Sequence, residues 1–207
     1  DMQGKHVLVT AGATMEKIDP VRFITNHSTG KMGKALAENC MLRGAKVTLV
    51  NASVSVEPPM FVDVVKVSSA AEMSEAVKSK ADEQDIIIMT AAVADFRPSH
   101  PADEKIKKKD QETDSIIELE RTEDILAYLG AHKKEGQKIC GFSMETENML
   151  DNSKAKLAKK NADMIVANNL KVAGAGFGTD TNVVTLITKN GCRQLEKMDK
   201  SEVAEKI

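Results

Sequence analysis

The chain has 207 residues, enough for one sizeable domain with a proper apolar core. Its residues are 42% hydrophobic and 29% charged, a globular mix that excludes wholesale disorder. Lys and Arg number 29 against 31 Asp and Glu, for a net charge of −2, so no global field draws nucleic acid and any anion site must be local.

No apolar run approaches the roughly 20 residues of a membrane helix, and no signal-peptide pattern opens the chain. A cytoplasmic protein with neither nucleic acid nor membrane as partner is therefore expected. Cys40, Cys140 and Cys192 are far apart and form no CxxC pair, which leaves zinc and thioredoxin-like chemistry without support. Buried reduced thiols are expected instead. The opening Asp1-Met2-Gln3-Gly4 runs almost at once into a strand pattern, as a domain cut from a longer polypeptide would.

In chain order, His6-Val7-Leu8-Val9-Thr10 reads as a buried first strand ending at Ala11-Gly12. An irregular stretch follows, and a helix is predicted from near Gly30. There Met32, Ala35, Leu36 and Cys40 share one face, and Arg43-Gly44 closes the helix. Lys46–Val50 is the next strand and Pro58-Pro59 a surface loop. Phe61–Val67 reads as a strand, Ala70–Ala81 as a helix, and Asp85–Met89 as a central parallel strand covered on both faces. The second half predicts strands near Ile116–Glu120, Lys138–Phe142, Met164–Ala167 and Asn182–Thr188, and helices over Glu123–His132 and Leu150–Lys160. Asn190-Gly191 is a hairpin turn between Val183–Thr188 and Arg193–Glu196. Strands alternating with helices predict an α/β fold: a Rossmann-like, doubly wound, mainly parallel sheet with a β-hairpin extension.

Three segments are placed to carry chemistry. The first strand-to-helix connection spends about twenty residues where α/β units normally spend about two to six, and such a connection lines the ligand crevice. It contains Asp19-Pro20-Val21-Arg22-Phe23 and Asn26-His27-Ser28-Thr29-Gly30-Lys31-Met32-Gly33. Ser28 or Thr29 can cap the helix, and amides around Gly30 can bind an anion. Arg22 can form a bidentate pair with a carboxylate or phosphate, and Asn26 can hydrogen-bond without titrating. His27 reads as a packed or capping histidine. The stretch is neither a Walker A loop nor a GxGxxG fingerprint, because Met32 stands where Ser or Thr should be and Gly12 stands alone.

The second segment, Ala91-Ala92-Val93-Ala94-Asp95-Phe96-Arg97, follows the central strand with side chains small enough for a ligand to approach the backbone. Asp95 suits a magnesium ion, a ribose hydroxyl or the capping of a loop amide. The third is Gly141-Phe142 with the following helix, where Lys156 and Lys160 lie one turn apart and can meet the same polyanion, or simply face solvent. The run from His100 to Ser115, with Lys105, Lys107, Lys108 and Lys109, is either a solvated loop or a basic flap able to close over a phosphate-bearing ligand.

Together these segments resemble the phosphopantothenate–cysteine ligase family along nearly the whole chain. Asp19 to Gly33 is similar to that family's signature almost residue for residue, and Ala91–Arg97 and Glu104-Lys105-Ile106-Lys107-Lys108 match its second and third blocks. The chain departs from the family pattern at Ala13, Met15, Arg121-Thr122-Glu123-Asp124 and Ser143-Met144.

The resemblance implies one ligase domain over residues 1–207, the ligase half of a bifunctional coenzyme A biosynthesis protein, with a mobile flap at 100–115. It implies activation of the 4′-phosphopantothenate carboxylate by CTP with Mg2+, then attack of L-cysteine on the acyl-cytidylate. FMN would belong only to a decarboxylase domain outside this sequence. By the same resemblance Asn26, Arg22 and Ala92 hold the acyl group, and Lys105 acts from the flap with the nucleotide. Asp95, Phe142, Lys156, Lys160, Ala91, Ser28 and Gly30 line the nucleotide site, with Asp95 as the metal candidate, in a homodimer. A Rossmann-type dehydrogenase is the enzymatic rival, though Asn51 stands where it needs an acidic residue. A non-catalytic nucleotide-binding module is the other rival.

Overall fold

Alternate residues of the first strand enter two different cores. Val7 and Val9 pack with Leu36, Leu49, Ile88, Val166 and Val203, whereas Leu8 packs with Met73, Val77, Ile87, Ile139 and Ile165. A period-2 strand buried on both faces must be central, with helices above and below. The computed structural model describes residues 1–52, 55–107, 116–145, 149–169 and 178–207, the side chains of Glu145 and Asn169 excepted.

The first half contains strands β1 His6–Ala11, β2 Glu16–Lys17 and β3 Phe23–Ile24, helix α1 Lys31–Leu42, strands β4 Lys46–Asn51 and β5 Asp63–Lys66, helix α2 Ala70–Ala81, and strands β6 Ile86–Met89 and β7 Phe96–Pro98. It continues with strand β8 Leu119–Arg121, helix α3 Ile125–Ala131, strand β9 Lys138–Glu145, helix α4 Met149–Lys159 and strand β10 Met164–Asn169. The chain ends with strands β11 Thr181–Asn182, β12 Val184–Thr188, β13 Gly191–Gln194 and β14 Met198–Asp199, and helix α5 Lys200–Lys206.

The main sheet runs β13-β12-β10-β9-β6-β1-β4-β5. Its six strands from β10 to β5 are parallel, and β12 and β13 extend it antiparallel. From β1 the chain steps outward through β4 to β5, then returns to β6 on the other side of β1. The β1–β6 junction is therefore the switch point of a doubly wound sheet, where the carboxyl ends of the strands part to leave a crevice. The expected Rossmann-like α/β sheet with its hairpin extension is the observed one.

The differences are local. The strand expected from Phe61 begins at Asp63, because Phe61 has a left-handed backbone (φ 63°) and is 86% exposed. The strand expected at Ile116–Glu120 forms only over Leu119–Arg121. It pairs with β7 in a separate two-stranded sheet rather than joining the central one. The helix expected from Glu123 starts at Ile125, where the Asp124 carboxylate accepts from the Ala127 amide as N-cap. The helix expected over Leu150–Lys160 runs over Met149–Lys159. Helix α5 was not expected. It packs against α1 and buries Val203 and Ala204. Glu202 accepts from the Asp199 amide at its start, a D-x-x-E signature visible in the sequence.

Candidate functional site

The floor of the crevice is a set of hydrogen bonds joining the ends of β1 and β6. Thr10 Oγ1 accepts from the amides of Thr90 and Ala91, both at 3.1 Å, and the Ala92 amide donates to the Gly12 carbonyl at 2.8 Å. Ala13 and Ala92 form a parallel bridge, and Thr14 Oγ1 accepts from the Ala94 amide at 3.0 Å. The small residues after β6 thus lie flat beside the first connection, as a backbone-approaching ligand requires.

Helix α1 starts over this floor. Its cap falls on Gly30 (φ 80°) with no side-chain hydrogen bond, so Ser28 and Thr29 do not cap it as expected. Gly33 lets the helix approach β1: a Cβ there would stand 2.5 Å from Ala11 Cβ and 3.0 Å from the Thr10 carbonyl. Asn26 Oδ1 accepts from the Ser28 amide at 3.0 Å, an Asx turn that fixes the Asn26 side chain. His27 is exposed, neither packed nor buried.

These elements enclose a cleft of about 400 Å³. Among the expected site residues, Asn26, Ser28, Gly30, Ala91, Ala92, Asp95, Phe142 and Lys156 all line it. Lys156 reaches back from α4 to donate to the Phe142 carbonyl at 2.9 Å, which brings its ammonium to the end of β9. Lys160 lines an adjoining hollow of about 170 Å³ together with Ala91, Asp95, Phe142 and Lys156. Its ammonium pairs with Asp124. Burial would raise the Asp124 pKa, but the Lys160 contact, the Ala127 amide and the charge of Lys156 together hold it below the ordinary value. Ser143, one of the departures from the family pattern, shares a 2.8 Å hydrogen bond with Ser153 and so ties β9 to α4 beneath the two lysines.

Arg22 and Lys105 lie outside the lining of the cleft. The buried Asp19 carboxylate accepts from Arg22 Nε at 3.0 Å and from Arg22 Nη2, and from the amides of Val21, Arg22 and Ile106. Arg22 Nη2 also donates to the Ile106 carbonyl at 2.9 Å. The residue after Lys105 is thus fastened on both backbone groups to the first connection, while Lys105 itself is exposed. Residues 108–115 of the expected flap, including Lys108 and Lys109, lie outside the described residues.

The lining residues missed as site candidates include Lys31, Asn168, Asn182 and Lys200. Lys31 was visible in the signature. Asn168, Asn182 and Lys200 reach the cleft only because β10, β11 and α5 converge on it, which no local pattern announces. Asp95 is the carboxylate among the described lining residues, and no group of three or more metal-ligating side chains gathers among the described residues. A magnesium ion at Asp95 would take its other oxygens from water and a phosphate-bearing ligand, as is usual for that ion. A larger, more open depression of about 660 Å³ lies between α2 and β8. Three of its charged residues are already paired, Lys78 with Glu123 and Arg97 with Glu120, and it contains none of the expected site residues.

Residues 2–207 match the DNA/pantothenate metabolism flavoprotein C-terminal domain. The chain belongs to that family. It is 51% identical over 208 residues to the coenzyme A biosynthesis bifunctional protein CoaBC of Bacillus subtilis, covering 100% of this chain and 50% of that protein. It is 42% identical to CoaBC of Vibrio vulnificus, covering 100% of this chain and 51% of the relative. The chain thus spans about half the length of the curated relatives it matches. The crystal structure of the C-terminal domain of CoaBC is similar at TM-score 0.83 and 46% identity, over 99% of this chain and 93% of that one. Cab2, solved in complex with phosphopantothenate-cysteine, shares the fold at TM-score 0.79 and 18% identity, over 98% of this chain and 84% of that one. The family resemblance read from the motifs is therefore correct. No described helix is long and apolar enough to cross a membrane.

Proposed function

We propose that this domain joins 4′-phosphopantothenate to L-cysteine at the expense of CTP, giving 4′-phosphopantothenoylcysteine, CMP and pyrophosphate. The observation that carries the reading is the shared cleft. Asn26, Ala92, Asp95, Phe142 and Lys156 come from three separate sequence blocks and line one crevice at the switch point, in a family whose CoaBC members are named for coenzyme A biosynthesis.

In the first step a carboxylate oxygen of phosphopantothenate attacks the α-phosphorus of CTP. The bond to the β-phosphate breaks, pyrophosphate leaves with the electron pair, and an acyl-cytidylate remains. In the second step the cysteine amine attacks the acyl carbon, CMP departs, and the nitrogen loses a proton to solvent. Both steps bring anions together, so the main task of the protein is to offset repulsion with fixed donors and cations. Lys156 and Lys160 face the nucleotide phosphates, and Phe142 and Ala91 bound the nucleotide. Ser28 and the Gly30 amide face the nucleotide from the first connection. Asn26 orients the acyl group beside Ala92, and Lys105 closes from the 100–115 flap to neutralise charge as pyrophosphate leaves. Arg22 serves this closure by holding Ile106. A magnesium ion at Asp95 would screen the nucleotide phosphates.

The site needs no side-chain nucleophile, and no histidine stands among the described residues of its lining. FMN has no part in this reaction and is assigned to the portion of the bifunctional relatives outside this chain. A homodimer is part of the proposal: Phe23, Phe96 and Leu119 are exposed on the β2–β3 and β7–β8 ribbons, where a second copy would cover them. The proposal is tested by mass spectrometry after incubation with phosphopantothenate and CTP, or ATP, without cysteine. It expects an acyl-cytidylate that disappears when cysteine is added. An adenylate alone would overturn the choice of CTP, and no acyl-nucleotide with either would overturn the pathway.

A further inference from the structure

Two asparagines, Asn168 near the carboxyl end of β10 and Asn182 at the end of β11, line the cleft together. Asn182 is 2% exposed, so its carboxamide must find its partners inside the protein. The Val183 amide donates to Asn182 Oδ1 at 2.9 Å, and Asn182 Nδ2 donates to Asn168 Oδ1 at 2.9 Å. Chemistry sets the direction of this relay. A backbone amide can only donate, so the oxygen of Asn182 faces Val183 and its nitrogen faces Asn168. The atom of Asn168 that meets this nitrogen is therefore its oxygen. No described residue accepts from Asn168 Nδ2, and that nitrogen is not enclosed, so its protons are left to a ligand in the cleft. Asn26 is set the same way, because the Ser28 amide takes up its Oδ1 and leaves its nitrogen to the cleft.

We infer that Asn182 is a positioning residue: it holds the Asn168 carboxamide with its nitrogen toward the cleft, so that Asn168 donates to a carbonyl or phosphoryl oxygen of a bound substrate. The inference rests on the proposed ligase reading for the identity of the substrates. Phosphopantothenate, with its amide carbonyls and phosphate, and CTP, with its triphosphate and base carbonyl, both present such oxygens. An unrestrained carboxamide can offer a ligand either its donor or its acceptor side. Here a turned Asn168 would set its nitrogen against the nitrogen of Asn182 and its oxygen against the substrate oxygen, so two hydrogen bonds would become two repulsive contacts. The cleft gains a directed donor without a further cation.

The test measures binding of CTP and of phosphopantothenate by calorimetry, with the two KM values alongside, for wild type, Asn168→Ala, Asn182→Asp and the double variant. A carboxylate at position 182 still accepts from the Val183 amide but has no proton for Asn168, which then turns its oxygen to the cleft. Asn168→Ala and Asn182→Asp should each raise the Kd of the same substrate by about tenfold. The substrate affected identifies the source of the acceptor oxygen. Adding Asn182→Asp to Asn168→Ala should raise that Kd no further, because the relay acts only through Asn168. General damage at position 182 would instead weaken binding by the same factor in both backgrounds. Should Asn182→Asp fail to fold, Asn168→Asp carries the test. It still accepts from Asn182 but offers the cleft an oxygen, and it should bind more weakly than Asn168→Ala. Binding is read without turnover, so failure of the ligase reading is distinguishable from failure of this relay. Unchanged Kd values for both substrates in Asn168→Ala, or equal losses from Asn182→Asp with and without Asn168, would overturn the inference. So would an Asn168→Asp variant that binds as tightly as Asn168→Ala.

Discussion

Asp19 and Arg22 pair with each other, and both reach the backbone of the same residue, Ile106, in the Lys105 segment. The Ile106 amide donates to Asp19 at 3.2 Å and its carbonyl accepts from Arg22 at 2.9 Å. A signature in the first connection thereby holds the root of a segment more than eighty residues away. Both charges are spent on each other and on that root.

Asp19→Asn should slow turnover by loosening the Lys105 segment, and it should show a characteristic pH dependence of stability. The Arg22 guanidinium, helped by three backbone amides, holds the Asp19 carboxyl well below the usual carboxylate range. A depressed folded-state pKa stabilises above the unfolded value and loses that contribution as pH falls. The stability advantage of wild type over Asp19→Asn should be constant above about pH 5. It should shrink as pH drops through the ordinary value of 3.8 and below. Denaturant melts between these limits check it, and an advantage that grows on acidification would contradict the pairing.

Lys105→Ala should reduce turnover by about 100-fold or more, the scale for losing a preorganised charge partner of a transition state. Lys105 is exposed, so the folding stability of the variant should stay within about 0.5 kcal/mol of wild type. Near-native activity in this variant would remove the flap from the mechanism.

Gly130 lies under the end of α4, where an added Cβ would stand 1.8 Å from the Lys160 carbonyl. Gly130→Ala must push α3 and α4 apart, at a cost of about 1–3 kcal/mol for overpacking. The Lys160–Asp124 pair bridges those helices, so the KM for nucleotide should rise together with the loss of stability. Kinetics and denaturant melts on one preparation check both.

The thiols should divide into one fast and two slow. Burial pushes the Cys140 thiol up to about 12, aided by the charge of Asp163, and burial also raises Cys40. Cys192, expected to be buried, is exposed on β13. A thiol reagent at neutral pH should label one cysteine per native chain and all three after unfolding.

The parallel core was legible because its strands are continuous apolar runs, as at Ile86–Met89, flanked by helices with one buried face. Asn26, Ala92 and Lys156 were legible through sequence blocks whose shared destination, the switch point, follows from strand order. Lys200 was not, because its burial depends on α5 docking against α1, a contact made across the whole length of the chain. The inward use of Arg22 was hidden for a related reason. A bidentate cation pairs equally well with a ligand and with Asp19, and only the fold decides which is within reach.

Pyrophosphate release from the purified chain tests the central claim most directly, with phosphopantothenate, cysteine and CTP each omitted in turn. Release should require both phosphopantothenate and the nucleotide, and phosphopantothenoylcysteine should accumulate in equal amount when cysteine is present. Release that persists without phosphopantothenate, or none in the complete mixture with either CTP or ATP, would contradict the ligase assignment.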